Sequence, residues 1–175
     1  KPNLTILEDA GIKLGEAGGV EVNEYMQTND PDIYAAGDIV ETTHLVTGRK
    51  VRIPLAGPAN KQGRVAGANA AGGRLTFKGA LGTCIVKVCD MTAAKTGVSE
   101  KELVGEGIDY FISYSATKDH AGYYPGAEWM IIKLILQKET GLLLGGQIVG
   151  PKGVDKRIDV LATAIHAKMT AEDLE

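Results

Sequence analysis

Val154, Ile158, Leu161 and Ile165 recur at three- and four-residue spacing, which predicts an amphipathic helix running from about Val154 to the Lys168-Met169-Thr170 stretch. Apolar runs of strand length precede it at 82–89, 92–96, 108–117, 128–137 and 142–149, with a short helix over 98–105. Gly141 marks a hairpin turn between the last two strands. Upstream the texture differs. Asn3 to Gly11 reads as a short helix stopped by its glycine, and Gly18-Gly19-Val20-Glu21-Val22 enters an alternating strand. Pro31 then breaks regular structure, and Ile33-Tyr34-Ala35-Ala36 forms a short apolar strand closed by Gly37 and Asp38. Ala59 to Ala71 predicts a helix of small residues, suited to packing against another backbone or a flat ligand, and Gly72-Gly73-Arg74 ends it.

The change of pattern near Phe77 places a domain boundary at residues 73–79, giving a first domain over 1–72 and a second over 79–175. Adjacent strands with helices between them indicate an α+β architecture. The 175 residues can bury a sizeable core, and no 18-residue apolar run is present to span a membrane. Lys+Arg 19 against Asp+Glu 22 leaves no basic stripe to suggest nucleic acid. The opening Lys1-Pro2-Asn3 carries neither an apolar leader nor a starting methionine, which predicts a processed or excised piece of a longer chain.

Cys84 and Cys89 fall within the run 82–89 that reads as a strand. Residues five apart on a strand face opposite sides and stand ~16 Å apart, whereas a disulfide needs Cα atoms within ~7 Å. The two are expected not to pair, to act as buried small hydrophobes, and to reflect a reducing, cytoplasmic setting. No histidine pair accompanies them, so no metal site is expected.

The chemistry-bearing segment is Thr28-Asn29-Asp30-Pro31-Asp32-Ile33-Tyr34-Ala35-Ala36-Gly37-Asp38. Gly37 lets the backbone approach a ligand closely, and Asp38 stands past the carboxyl end of the strand, where open α/β sheets hold ligands. A carboxylate there accepts hydrogen bonds from sugar-like hydroxyls; an ordinary strand end with a turn is the plainer reading. The segment resembles the second flavin-binding motif of the pyridine nucleotide-disulfide oxidoreductases, whose aspartate holds the ribityl chain of FAD.

Further stretches carry the same likeness. They are Pro54-Leu55-Ala56-Gly57-Pro58-Ala59-Asn60-Lys61-Gln62-Gly63-Arg64, Gly82-Thr83-Cys84-Ile85-Val86-Lys87-Val88, Tyr123-Tyr124-Pro125-Gly126 and Gly153-Val154-Asp155-Lys156-Arg157-Ile158-Asp159-Val160-Leu161. Within the family the chain is most similar to the coenzyme A-disulfide reductase, NADH oxidase and persulfide reductase group. The resemblance implies that residues 1–72 are the end of the nucleotide-binding region and the second part of an FAD-binding α/β domain. Residues 79–175 would be an antiparallel-sheet dimerisation domain with helices.

The family's fingerprint Gly-x-Gly-x-x-Gly after a strand is absent, as is the helix carrying the flavin-facing cysteines. Cys84 and Cys89 share the spacing of that redox pair in several relatives, but not its position. The chain is therefore expected to be a fragment of an oxidoreductase that passes electrons from NAD(P)H through FAD to a disulfide, a coenzyme A-type persulfide, or oxygen or peroxide, and to be inactive alone. The competing expectation is a non-catalytic dimerisation scaffold that binds no flavin by itself.

The resemblance assigns roles residue by residue. Gly37 and Asp38 would hold the ribityl chain. Leu55 and Ala56 would line the flavin edge at a helix N-terminus, whose free N–H groups and dipole favour a partly negative partner; a plain helix start is the alternative. Asn60 and Arg64, four apart on one helix face, would border a coenzyme A channel, or else form a solvated surface. Tyr123 or Tyr124 would reach the partner subunit's active site in a homodimer, or pack as an aromatic loop at the interface. His120, His44 and His166 read as ordinary histidines, and Gly150-Pro151-Lys152-Gly153 as a turn and helix cap.

Overall fold

A computed structural model describes residues 2–174, and the chain divides into two units, Lys1–Ala80 and Leu81–Glu175. The first unit is held together by few regular elements. Helix α1 spans Thr5–Asp9, β1 is Thr42–Thr43, β2 is Lys50–Val51, and α2 is Ala56–Ala70. β1 and β2 pair antiparallel. The core gathers Ile12, Val20, Val22, Met26, Val40 and Val65, with Leu4, Leu14, Ile39 and Phe77 packed around it. Buried Asn69 secures the end of α2: its Nδ2 donates to the carbonyls of Tyr25 and Leu75, and its Oδ1 accepts the Leu75 N–H.

Two expectations in this unit are corrected. Residues 33–36 are not a strand: Tyr34 makes one isolated bridge to Gln27, and Thr28 N–H donates to the Ile33 carbonyl across a tight turn. The run between that turn and Gly37 is too short to propagate a ladder. Likewise 18–22 is no strand, since Val20 makes only isolated bridges, antiparallel to Leu14 and parallel to Val40. Helix α2 starts three residues earlier than its small-residue run suggests. Pro58 is no obstacle there, because the first-turn N–H that it lacks would have no intrahelical partner.

The second unit follows the strand pattern closely and confirms the α+β reading. Strands β3 (Cys84–Val88), β4 (Met91–Gly97), β5 (Tyr110–Lys118), β6 (Trp129–Gln137) and β7 (Leu143–Gly150) form one antiparallel sheet in the order β3-β4-β7-β6-β5. Short helix α3 (Glu100–Leu103) begins with a capping box between Ser99 and Glu102, and α4 is Val154–His166. Gly141 supplies the left-handed turn residue between β6 and β7, at φ 71°.

Helix α4 packs on β4 and β7. A Cβ added at Gly146 would stand 2.7 Å from Leu161 Cδ1, so the small residue lets helix and sheet close up. The cross-strand row Ala94, Ile148, Ile132 lies on this face, with Ile148 fully buried. The neighbouring row alternates to the other face: Val86, Ala93, Val149 and Ile131 are cross-strand partners, and all are exposed. Val88, Met91 and Trp129 extend that apolar surface.

The cysteine reading is corrected in part. Both thiols are free, but neither is buried: Cys84 is half-buried and Cys89 exposed. Val88 pairs with Met91, so Cys89 and Asp90 form the two-residue hairpin loop, with Cys89 at φ 51°. Such a loop needs positive φ, which takes Cys89 out of the strand.

Candidate flavin-facing loop and tyrosine loop

In the first unit, Gly37 adopts φ 88° and directs the chain into the turn that presents Asp38. Its N–H donates to Oε1 of Gln62 at 2.9 Å, and Nε2 of Gln62 donates to Thr42 Oγ1 at 2.5 Å. On the other side of the turn, Arg52 donates through Nη2 to the Asp38 carbonyl at 3.2 Å. The buried Nε of Arg52 has no hydrogen-bond partner among the described residues. The peptide groups flanking Asp38 are thus tied to α2 and to the residue after β2, while Asp38 itself is exposed.

A Cβ built on Gly37 would stand 3.7 Å from the Cβ of Ala59, so the Asp38 turn lies against the first turn of α2. Leu55 is the extended N-cap of that helix and makes no side-chain cap. The N–H groups of Ala56 and Gly57 therefore start the helix without a side-chain acceptor, at the positive end of its dipole. An exposed carboxylate beside an uncapped helix start offers acceptors for hydroxyls and donors for an electron-rich edge. That donor set fits a flavin. Asn60 and Arg64 lie on α2 one turn apart and are both exposed.

In the second unit, Tyr123 and Tyr124 stand in the loop between β5 and β6, both exposed, with ring centroids 5.0 Å apart. Asp119 anchors the loop. Its Oδ1 accepts the Glu128 N–H at 2.7 Å and its Oδ2 lies 2.9 Å from His120 Nδ1. The backbone bond from Glu128, followed by the His120 contact, holds the Asp119 carboxyl down from 3.8 to about 2. Arg157 donates to the Asp119 carbonyl and Lys152 to that of Gly126. His120, expected to be an ordinary loop residue, thus has a carboxylate partner next to it in sequence.

Sequence reasoning missed Gln62, Arg52 and Arg157. Each acts through hydrogen bonds to residues 14 to 38 positions away, and local pattern carries no trace of such pairings. No group of three or more His, Cys, Asp or Glu converges to hold a metal among the described residues. Among those residues no helix is long and apolar enough to cross a membrane.

Comparison with known proteins gives matches along nearly the whole chain. Residues 1–63 match the family model described as pyridine nucleotide-disulphide oxidoreductase, and residues 83–175 match the dimerisation domain of the same family. The chain is 42% identical over 173 residues to an NAD(P)H sulfur oxidoreductase (CoA-dependent) of Pyrococcus abyssi, covering 99% of this chain and 39% of that protein. It is 38% identical over 174 residues to an NADH oxidase of Methanocaldococcus jannaschii, covering 99% of this chain and 38% of that protein. The solved structure of an NAD-dependent persulfide reductase from A. fulgidus superposes with a TM-score of 0.96 at 50% identity, covering 99% of this chain and 32% of that one. The chain thus spans about two-fifths of the length of the curated relatives it matches.

Proposed function

This chain belongs to the pyridine nucleotide-disulphide oxidoreductase family, and from that premise we propose that it supplies half of a flavin site and the dimerisation domain of an NAD(P)H-dependent flavoprotein. Residues 1–72 are then the end of the nucleotide-binding region and the second part of the FAD-binding domain, and 79–175 the dimerisation domain. The observation that carries this reading is the exposed Asp38 on its left-handed glycine turn, held against the uncapped first turn of α2.

When bound, FAD supplies the two-electron relay between NAD(P)H and the acceptor. Asp38 accepts hydrogen bonds from ribityl hydroxyls, and Gly37 keeps the backbone clear of them. The Leu55–Ala56 start of α2 presents N–H groups and the positive helix end to the flavin edge, favouring negative charge there. Arg64, with its planar fork of donors, and Asn60 one turn before it are suited to the phosphates of a coenzyme A-type substrate. Tyr123 or Tyr124 donates a hydrogen bond to a substrate sulfur or oxygen in the active site of a second copy.

A homodimer fits the second unit. Val86, Val88, Met91, Trp129, Ile131 and Val149 leave one sheet face apolar and exposed, an arrangement that marks an interaction surface. The acceptor is a small-molecule disulfide or persulfide, or oxygen or peroxide, and two free thiols suit a reducing, cytoplasmic setting.

The test is to purify the full-length protein that carries this chain, measure its flavin content, and follow NAD(P)H oxidation with coenzyme A disulfide, coenzyme A persulfide and oxygen in turn. Stoichiometric FAD and turnover with at least one acceptor are expected. A colourless protein that oxidises NAD(P)H with none of them would leave the dimerisation scaffold as the better reading.

A further inference from the structure

Gln62 lies in the middle of α2 and is 2% exposed. Both atoms of its amide are matched, and both partners belong to the segment that carries Asp38. Oε1 accepts the N–H of Gly37, immediately before Asp38, and Nε2 donates to Thr42 Oγ1, four residues after it. A buried amide left unmatched is costly, so the loop and the helix hold one relative position while both bonds are made. Ala59, three residues before Gln62 on the same helix, packs beside Gly37, and Arg52 fixes the Asp38 carbonyl from the far side.

We infer that Gln62 is a positioning residue for the flavin: it sets the height of the Asp38 carboxylate relative to the Ala56 and Gly57 N–H groups, so that one FAD engages both. The inference rests on the flavin reading given above. Gln62 is buried with both amide atoms engaged, so it acts through Asp38 rather than on the ligand. Without it, the N–H of left-handed Gly37 loses the Gln62 Oε1 acceptor. Arg52 and the Val40 N–H, which donates to the Gly37 carbonyl, still close the turn on itself, but its side-chain tie to α2 is lost, and carboxylate and helix start no longer share a fixed spacing.

The test uses the full-length protein and its apoprotein. Gln62→Met keeps the length of the side chain and removes both bonds. FAD affinity, read by fluorescence titration of the apoprotein, is expected to weaken roughly tenfold, the size of one lost hydrogen-bond constraint. Asp38→Ala should weaken it at least as much. The double variant should bind FAD within about twofold of Asp38→Ala alone, because a residue acting through Asp38 has nothing left to position. FAD losses that multiply in the double variant, or a lowered melting temperature of the apoprotein with FAD affinity unchanged, would overturn the inference in favour of a structural role.

If Gln62→Met does not fold, Thr42→Val removes only the Oγ1 partner. A loss of a few-fold, abolished in the Asp38→Ala background, is then expected; unchanged affinity overturns the inference. If Asp38→Ala alone leaves FAD affinity unchanged, the flavin reading itself fails. That arm does not involve Gln62, so the two failures are distinguishable.

Discussion

Arg157 reaches from the first turn of α4 to Asp119, donating through Nη2 to its carbonyl oxygen at 2.9 Å, while Nη1 donates to the Gly153 carbonyl at 3.1 Å. One guanidinium fork thereby ties the base of the tyrosine loop to the start of the helix. Arg157→Met retains much of the apolar stem and loses both bonds. Stability should fall by about 1 kcal/mol in urea unfolding, the usual net worth of such bonds. Amide exchange should accelerate across 119–128 and remain slow in β7. Equal exchange in variant and wild type would show that the fork does not restrain the loop.

The carboxyl of Asp119 gives that loop a pH signature. Its folded value, about 2, lies below the ordinary 3.8 because it accepts the Glu128 N–H and faces His120. A depressed acid contributes stability that is fully present above its unfolded value, and loses it as pH falls through the folded one. The loss therefore falls between about pH 4 and about pH 2. Asn at this position still accepts the Glu128 N–H but does not titrate. Asp119→Asn should flatten the fall of unfolding free energy with acid in that window; an unchanged slope would remove Asp119 as its source.

How much of this was legible in the sequence depended on the range of each interaction. The five strands and α4 of the second unit followed from apolar runs of strand length and from helical spacing; β4, β6, β7 and α4 bury residues in the sheet–helix core, while β3 and β5 have none that is fully buried. The Cys89 turn was misread because Cys-Asp carries none of the Asn-Gly signal that usually announces a two-residue loop. Tyr34 looked strand-like from its apolar neighbours, yet only tertiary pairing decides whether such a run is extended, and here it amounts to one bridge. Asp38 drew notice through its motif, and it stands exposed after the left-handed Gly37. Gln62 stood unremarked between the two helix residues that drew notice, because its partner Gly37 is 25 positions away.

Gly145 shows what the close approach within the second unit demands. A Cβ added there would fall well inside van der Waals contact distance of the Val98 carbonyl oxygen, with the carbonyl carbon at 3.0 Å. Both are backbone atoms and cannot rotate away. Gly145→Ala should cost about 3 kcal/mol, the upper part of the overpacking range, and shift the chemical unfolding midpoint accordingly. A cost below roughly 0.5 kcal/mol, ordinary for a surface site, would contradict the packing described.

Ile131 and Val149 are cross-strand partners on the exposed sheet face. If this face seats a second copy, a charge at its centre must be desolvated without a partner. Ile131→Lys in the full-length protein should move the sedimentation profile from dimer towards monomer while the melting temperature changes little. A dimer that persists unchanged would assign the interface to another surface.

In the proposed flavin site Asp38 contacts the ribityl chain. The most direct measurement is the FAD dissociation constant of full-length Asp38→Ala beside that of Asp32→Ala, a second exposed aspartate in the same motif. A carboxylate that accepts ribityl hydroxyls is worth about 1.5–3 kcal/mol, so Asp38→Ala should weaken FAD binding by roughly ten- to a hundredfold. Asp32→Ala should leave it within about twofold, since surface changes away from the contact lie within about 0.5 kcal/mol. Equal affinities in both variants and the wild type would show that Asp38 does not hold the flavin.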